Sequence, residues 1–335
     1  MNLHDLDGGE GSSSGAVDLA AVVDARRRLA NDVHRTPLLT SRQLGAIAGG
    51  CVLLKCENLQ RTGSFKARGA LNAVRSLSAA ERARGVTTYS SGNHGQALAW
   101  AAALEGVRAV IFMPTTAPRT KVDAARGYGA EVRFAGTTSP ERKAAAEHAV
   151  ATEGFVMVPP FDDPRIVAGQ GTCLLEALDE APAPDVVLVP VGGGGLCAGS
   201  ALVAAASSPA TRVLGIEPRD ANAMTRALEA GQVVTIPPPR TIADGLMPLA
   251  VGALPFALAR RHVAGTVLVD DDEIRAAVAF LATRAKLVVE PSGAVGVAAL
   301  MSGRVRLDGK TAIVVLSGGN VAPAFLAEVL ASGTP

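Results

Sequence analysis

From Cys51 onward, short runs dense in valine, leucine and isoleucine alternate with longer alanine-rich runs. CVLLKCE, GVTTYS, RAVIFMP, EVRFAG and FVMVPP are the short ones, and ARGALNAVRSL, GQALAWAAALEG, TKVDAARGYG and ERKAAAEHAVATEG lie between them. The second half repeats the habit with DVVLVPV, LCAGSALVAAASS, RVLGIEP and TAIVVLS. The short apolar runs predict buried strands and the longer ones predict helices. Their alternation predicts an α/β fold of two domains, each an open, mostly parallel twisted sheet with helices on both faces. The stretch from Gly85 to Asp163 is compact and ends at the proline-rich PPFDDP, so 85–163 is expected to be a small mobile domain. Residues 18–84 and 164–335 then form the large, ligand-binding domain. Residues 1–17, with a glycine- and serine-rich middle, are expected to be a disordered tail. In doubly wound sheets ligands sit beyond the carboxyl ends of the strands, which points to the glycine-rich turns there.

Composition narrows the class. Of 335 residues, 48% are hydrophobic, enough to bury more than one core. The formal charge is +1 and no run of Lys and Arg tracks a face, which argues against nucleic acid and toward a small ligand. Cys51, Cys56, Cys173 and Cys197 show no CxxC or zinc-like spacing and are expected to be reduced, mostly buried small hydrophobes, as in a cytoplasmic protein. The N-terminus has no basic flank followed by an apolar run, so no signal peptide is expected. The longest apolar stretches stop at glycines far short of a membrane span.

Four turns can hold a ligand. In DVVLVPVGGGGLCAGSALVAAA a strand runs into Gly192, Gly193, Gly194 and Gly195, and a helix follows at once. Convergent backbone N–H groups and a helix N-terminus make an anion site suited to a phosphate. The same segment fits G-x-G-x-x-A, with Glu217 about 20 residues on, so a NAD-dependent dehydrogenase is a rival on this segment alone. In TTYSSGNHGQALAW, Ser90, Ser91, Gly92, Asn93 and His94 cluster at a helix start, an arrangement suited to a carboxylate. In ENLQRTGSFKARGA, Lys66 falls in the first turn of a helix, where the helix dipole lowers an amine's pKa. A lysine close to a phosphate site and a carboxylate site suggests a Schiff base to pyridoxal phosphate. In TAIVVLSGGNVAP a strand delivers Ser317 at its carboxyl end, before Gly318, Gly319 and Asn320.

GSFKARGA, SSGNHGQA, VAGQGT, PVGGGGL, EPSGAVGVAA and VLSGGN, in this order, resemble the signatures of the fold-type II pyridoxal-phosphate enzymes, specifically the serine/threonine dehydratase and serine racemase family with its tryptophan synthase β-like fold. The resemblance runs from about Thr36 to the C-terminus. It implies that Lys66, beside Phe65, carries pyridoxal 5'-phosphate, that Gly192 to Gly195 with Leu196 hold its phosphate, and that Asn93 meets its phenolic oxygen. Ser317 would face the pyridine nitrogen, where a neutral hydroxyl does not enforce ring protonation and so favours prompt elimination. Ser90, Ser91, Gly92, Asn93 and His94 would line the substrate carboxylate site, with Gln170 alongside and Arg142 as a domain-closure arginine. Lys66 would take the α-proton of a β-hydroxy amino acid, foremost L-threonine or L-serine, releasing a 2-oxo acid and ammonia.

Ser91 would supply the second acid/base that racemisation needs, so a serine racemase or a bifunctional enzyme is the alternative reading, and threo-3-hydroxyaspartate is a further substrate of the same chemistry. A racemase-like magnesium site would use Glu217 and the carbonyl of Ala221, but Ala223 stands where the family has an Asp, which makes metal doubtful. Asp270 and Glu273 of DDDEI have capping-box spacing and predict a helix start instead. A homodimer without a C-terminal regulatory domain, and so without end-product feedback, is expected.

Overall fold

The computed structural model describes residues 17–90 and 92–331. Ten strands lie among them: β1 (Leu38–Thr40), β2 (Cys51–Lys55), β3 (Val86–Tyr89), β4 (Ala109–Met113), β5 (Glu131–Phe134), β6 (Val156–Met157), β7 (Val186–Pro190), β8 (Arg212–Pro218), β9 (Gly265–Val269) and β10 (Thr311–Val315). One sheet has the order β1-β2-β10-β7-β8-β9 and the other β5-β4-β3-β6. Every pairing is parallel except that of β1 with β2. The α/β architecture with helices on both faces is as the alternating pattern predicts, and the whole four-stranded sheet falls within Val86–Met157.

Side chains of the six-stranded sheet alternate between two buried layers, as period-two geometry requires. Leu188 and Val314 face a layer with Leu54, Val295 and Ala298. Val187, Val189, Ile313 and Val315 face the other, with Leu196, Val203 and Leu174. Both faces are covered, so these strands read as unbroken apolar runs. Of the residues expected to be a disordered tail, 1–16 lie outside the described residues. The last, Val17, is buried in the second of these layers, so order begins before residue 18. Cys56, Cys173 and Cys197 are buried free thiols, while Cys51 is free and exposed. No helix among the described residues is long and apolar enough to cross a membrane.

Topology selects the loops that matter. β3 has β4 on one side and β6 on the other, so its carboxyl end is a switch point that opens a crevice at Ser90. The large sheet switches between β10 and β7. The register Val314↔Leu188, continued three residues, puts Ser317 beside Val191 and so next to Gly192. Two chain segments 126 residues apart thus deliver the hydroxyl and the glycine loop to one edge.

Candidate active site

Lys66 opens the helix Lys66–Arg75, the position the sequence predicts. That helix is tied to the end of β10 by a bridge between Ser64 and Gly318 and by the Phe65 N–H donating to the Ser317 carbonyl at 3.1 Å. Its other face crosses the helix Pro164–Leu178 so closely that a Cβ on Gly169 would lie 2.6 Å from the Gly69 Cα. Lys66 Nζ stands 5.0 Å from the Phe65 ring centroid and donates to the Pro160 carbonyl at 2.6 Å. Burial pushes the amine down to about 8.

The glycine loop lies under a strap formed by PPFDDP. Gly194 has φ +93, a left-handed conformation that L side chains rarely adopt, and it caps the helix Gly195–Ser207. A Cβ on Gly193 would overlap the Phe161 ring, and one on Gly192 would lie 3.1 Å from the Gly245 carbonyl oxygen. Asp162 holds the strap down by accepting from the Ala253 and Leu254 N–H groups at 3.1 and 3.0 Å. Leu196 follows the loop within the first helical turn, where backbone N–H groups have no intrahelical acceptor.

Asn93 is the first residue of its helix, and Gly92 before it is an N-cap without a side-chain cap bond, so the cluster is more than a capping device. Asn93 Nδ2 donates to Glu290 Oε1 at 2.7 Å and its Oδ1 accepts from Asn320 at 2.8 Å. Burial, then the Asp244 carboxylate, pushes Glu290 up to about 7. Asp244 in turn meets Lys121 of the small sheet's layer at 2.8 Å, an ion pair that reaches across the crevice. The Ser317 hydroxyl donates to the Ser292 carbonyl at 3.4 Å.

The remaining candidates are placed unevenly. The Ser90 hydroxyl accepts from the Gly92 N–H at 3.3 Å, and Ser91 lies outside the described residues. His94 is buried, with Nε2 at 2.9 Å from the Val158 carbonyl oxygen. A carbonyl only accepts, so the proton is on Nε2 and the unpaired Nδ1 is an acceptor. Burial, then the nearby Lys66 charge, pushes this imidazole down to about 3, so it is neutral. Both amide atoms of the buried Gln170 lack a partner, and its nitrogen faces Gly69 on the lysine helix. Arg142 is half-buried and donates to the Thr137 carbonyl at 3.3 Å, within its own helix entry. The sequence marks PPFDDP as a loop at the pocket and EPSGAVGVAA as a signature, but it assigns no individual role to Glu290, Phe161, Pro160 or Lys121. Glu290 leaves a local trace, an acid just before a helix-starting proline in EPSG.

Pyridoxal phosphate fits these residues. The cradle under Phe161 has no room for a Cβ and offers N–H groups to an anion. Buried hydroxyls of Thr62 and Ser64 and the Gln170 amide stand unpartnered around Lys66. A divalent cation does not fit at Glu217. One carboxylate oxygen accepts from the Met224 N–H at 2.8 Å, and the other from the Thr225 N–H at 2.9 Å and its hydroxyl at 2.6 Å. Glu217 therefore serves the start of the helix Ala223–Ala230. Ala221 brings no second acid, and no cluster of three His, Cys, Asp or Glu suited to a metal occurs among the described residues. Glu217 is also fully buried, which keeps it from the ribose hydroxyl that the dehydrogenase reading needs it to meet. Asp270 and Glu273 form the expected capping box.

A family model for pyridoxal-phosphate dependent enzymes matches residues 29–318. An L-threo-3-hydroxyaspartate ammonia-lyase from Saccharomyces cerevisiae is 43% identical over 300 residues, 90% of this chain and 92% of that protein. An L-threonine ammonia-lyase from Geobacter sulfurreducens is 44% identical over 313 residues, 93% of this chain and 78% of that one. The crystal structure of a serine racemase from Dictyostelium discoideum superposes with a TM-score of 0.86 at 38% identity, covering 91% of this chain and 99% of the racemase. With the lysine, the glycine cradle and the two-sheet topology in place, the chain belongs to the fold-type II pyridoxal-phosphate dependent enzymes, in the serine/threonine dehydratase and serine racemase family.

Proposed function

We propose that the protein is an ammonia-lyase that dehydrates a β-hydroxy amino acid, foremost L-threonine or L-serine, to a 2-oxo acid and ammonia. The observation that carries this reading is the Lys66 amine, the described base of the site, bonded to Pro160 and brought down to about 8. Elimination needs one such base. Racemisation needs a second on the opposite face, the role expected of Ser91, and is the alternative reading.

When bound, pyridoxal phosphate would supply the electron-withdrawing ring that makes the substrate's α-C–H acidic. The N–H groups of Gly192 to Leu196 would bind its phosphate, and Ser317 would meet its ring nitrogen with a neutral hydroxyl. Lys66 holds its nitrogen in place by donating to the Pro160 carbonyl, which leaves a lone pair free to take the α-proton. The Gly92 loop would receive the substrate carboxylate through backbone N–H groups. Neutral His94, whose Nδ1 carries no hydrogen to donate, would border that site without binding the carboxylate or pairing its charge. The strap at Phe161 would keep water off the loop.

A panel of L-serine, L-threonine and L-threo-3-hydroxyaspartate, assayed for 2-oxo acid and for inverted amino acid, tests the reading. Release of 2-oxo acid in excess of inversion is expected. Inversion without 2-oxo acid would assign a racemase, and neither product despite bound cofactor would remove the lyase.

The pH profile of kcat carries a sign. The base is active only when deprotonated, so kcat should climb with pH to a plateau above a limb near 8 and fall about tenfold for each unit below it. A flat profile through this region would show that this amine does not limit turnover.

A further inference from the structure

A carboxamide has two chemically different ends, and the orientation of Asn93 decides to which side its free hydrogen points. Asn320 sets that orientation. Its Nδ2 has two hydrogens and two acceptors, the Thr62 carbonyl oxygen at 2.8 Å and Asn93 Oδ1 at 2.8 Å. A backbone carbonyl cannot donate, so the Asn320 amide cannot turn over without losing that bond. The Asn93 atom it faces is therefore the oxygen. Nδ2 is then directed to Glu290, which is buried and held by its own N–H donating to the Gly318 carbonyl at 3.0 Å. Glu290 Oε1 uses one Nδ2 hydrogen, and the second remains available. Gly318 keeps the junction open, because a Cβ there would overlap Glu290 and lie 3.2 Å from Asn93 Nδ2.

We propose that Asn320 and Glu290 are positioning residues that lock the Asn93 carboxamide so that its remaining N–H donates to the phenolic oxygen of the cofactor ring. The proposal rests on the reading of Asn93 as the residue that meets that oxygen. The chain of orientation starts at a main-chain carbonyl in the turn before Lys66. It therefore ties the geometry of Asn93 to the same turn that presents the lysine.

The holoenzyme tests this by its visible absorption and by its affinity for pyridoxal phosphate in equilibrium dialysis. Asn320→Asp turns the donor into an acceptor, which forces Asn93 to turn its nitrogen toward residue 320 and its oxygen toward Glu290. The expected result is a cofactor band moved to shorter wavelength and an affinity about tenfold weaker, the worth of one charge-assisted hydrogen bond. The thermal midpoint should stay near the parent's, because residue 320 is exposed. Asn320→Ser should move the band the same way by less. Glu290→Gln keeps an acceptor and should retain the parent band, whereas Glu290→Met should shift it.

In an Asn93→Ala background the Asn320 substitutions should add nothing further. A parent-like band and affinity in both Asn320 variants, or equal effects of Gln and Met at position 290, would overturn the proposal. A parent protein with no cofactor absorption would overturn the cofactor reading beneath it.

Discussion

Lys66→Ala is expected to give a folded protein whose kcat is at least about 10³-fold lower, because one side chain serves both as covalent anchor and as base. Bound pyridoxal phosphate should no longer be fixed to the chain by borohydride. Folding should survive. The side chain makes one hydrogen bond, to Pro160, and one ring contact, to Phe65. Its helix is held by other residues: Asn72 Nδ2 donates to the Arg165 carbonyl at 2.7 Å, and Gly69 packs on Gly169. Removing an amine that burial already disfavours as a cation costs the fold little. Lys66→Arg should be as inactive, since a guanidinium cannot shed its proton. Circular dichroism, a thermal melt and a 2-oxo acid assay read all of this. A variant that kept about a tenth of the activity, or one that unfolded, would contradict the account.

The residues legible in the sequence are those whose chemistry is local. Lys66 in a helix's first turn, four glycines between strand and helix, and Ser317 at a strand's end are each announced by neighbours within a few positions. Strand alternating with helix likewise announces parallel sheets without any knowledge of strand order. What stays hidden is made by long separations. Asn93 and Glu290 are 197 residues apart, and Asn93 and Asn320 are 227 apart, so no window contains the hydrogen bonds that orient the amide. The strap is hidden for another reason. PPFDDP reads as a domain border, and only the fold shows Phe161 lying on Gly193 and Asp162 capping a helix some ninety residues on. Glu217 illustrates the opposite error, in which a local pattern suggests a ligand and the fold gives the carboxylate to a helix start.

Arg68→Met is expected to cost about 3–5 kcal/mol of stability, the typical penalty for breaking a buried ion pair by removing one partner. Arg68 lies two residues after Lys66 and is fully buried. Its guanidinium binds both oxygens of Glu57, at 2.8 and 2.7 Å, and one oxygen of Glu176 at 2.9 Å. Lys55, also buried, takes the other Glu176 oxygen at 2.6 Å. Without Arg68, Glu176 keeps its lysine but Glu57 is left with the Thr36 hydroxyl at 2.5 Å. Against the burial that would raise it, the Arg68 charge holds Glu57 below the usual carboxylate range. That contribution is present above the ordinary carboxylate pKa and lost as pH falls through the lowered one. In Arg68→Met the stranded Glu57 can relieve itself only by protonation, so the deficit against the parent should be largest at neutral pH and narrow on acidification. Urea denaturation at pH 7 and pH 5 measures both. The double variant Arg68→Met with Glu57→Met removes charge and countercharge together and should be more stable than Arg68→Met alone. If the double variant were instead the weaker of the two, the network would owe its value to shape and not to paired charge. Since the same helix carries Lys66, the single variant should also lose cofactor affinity at temperatures where it is still folded.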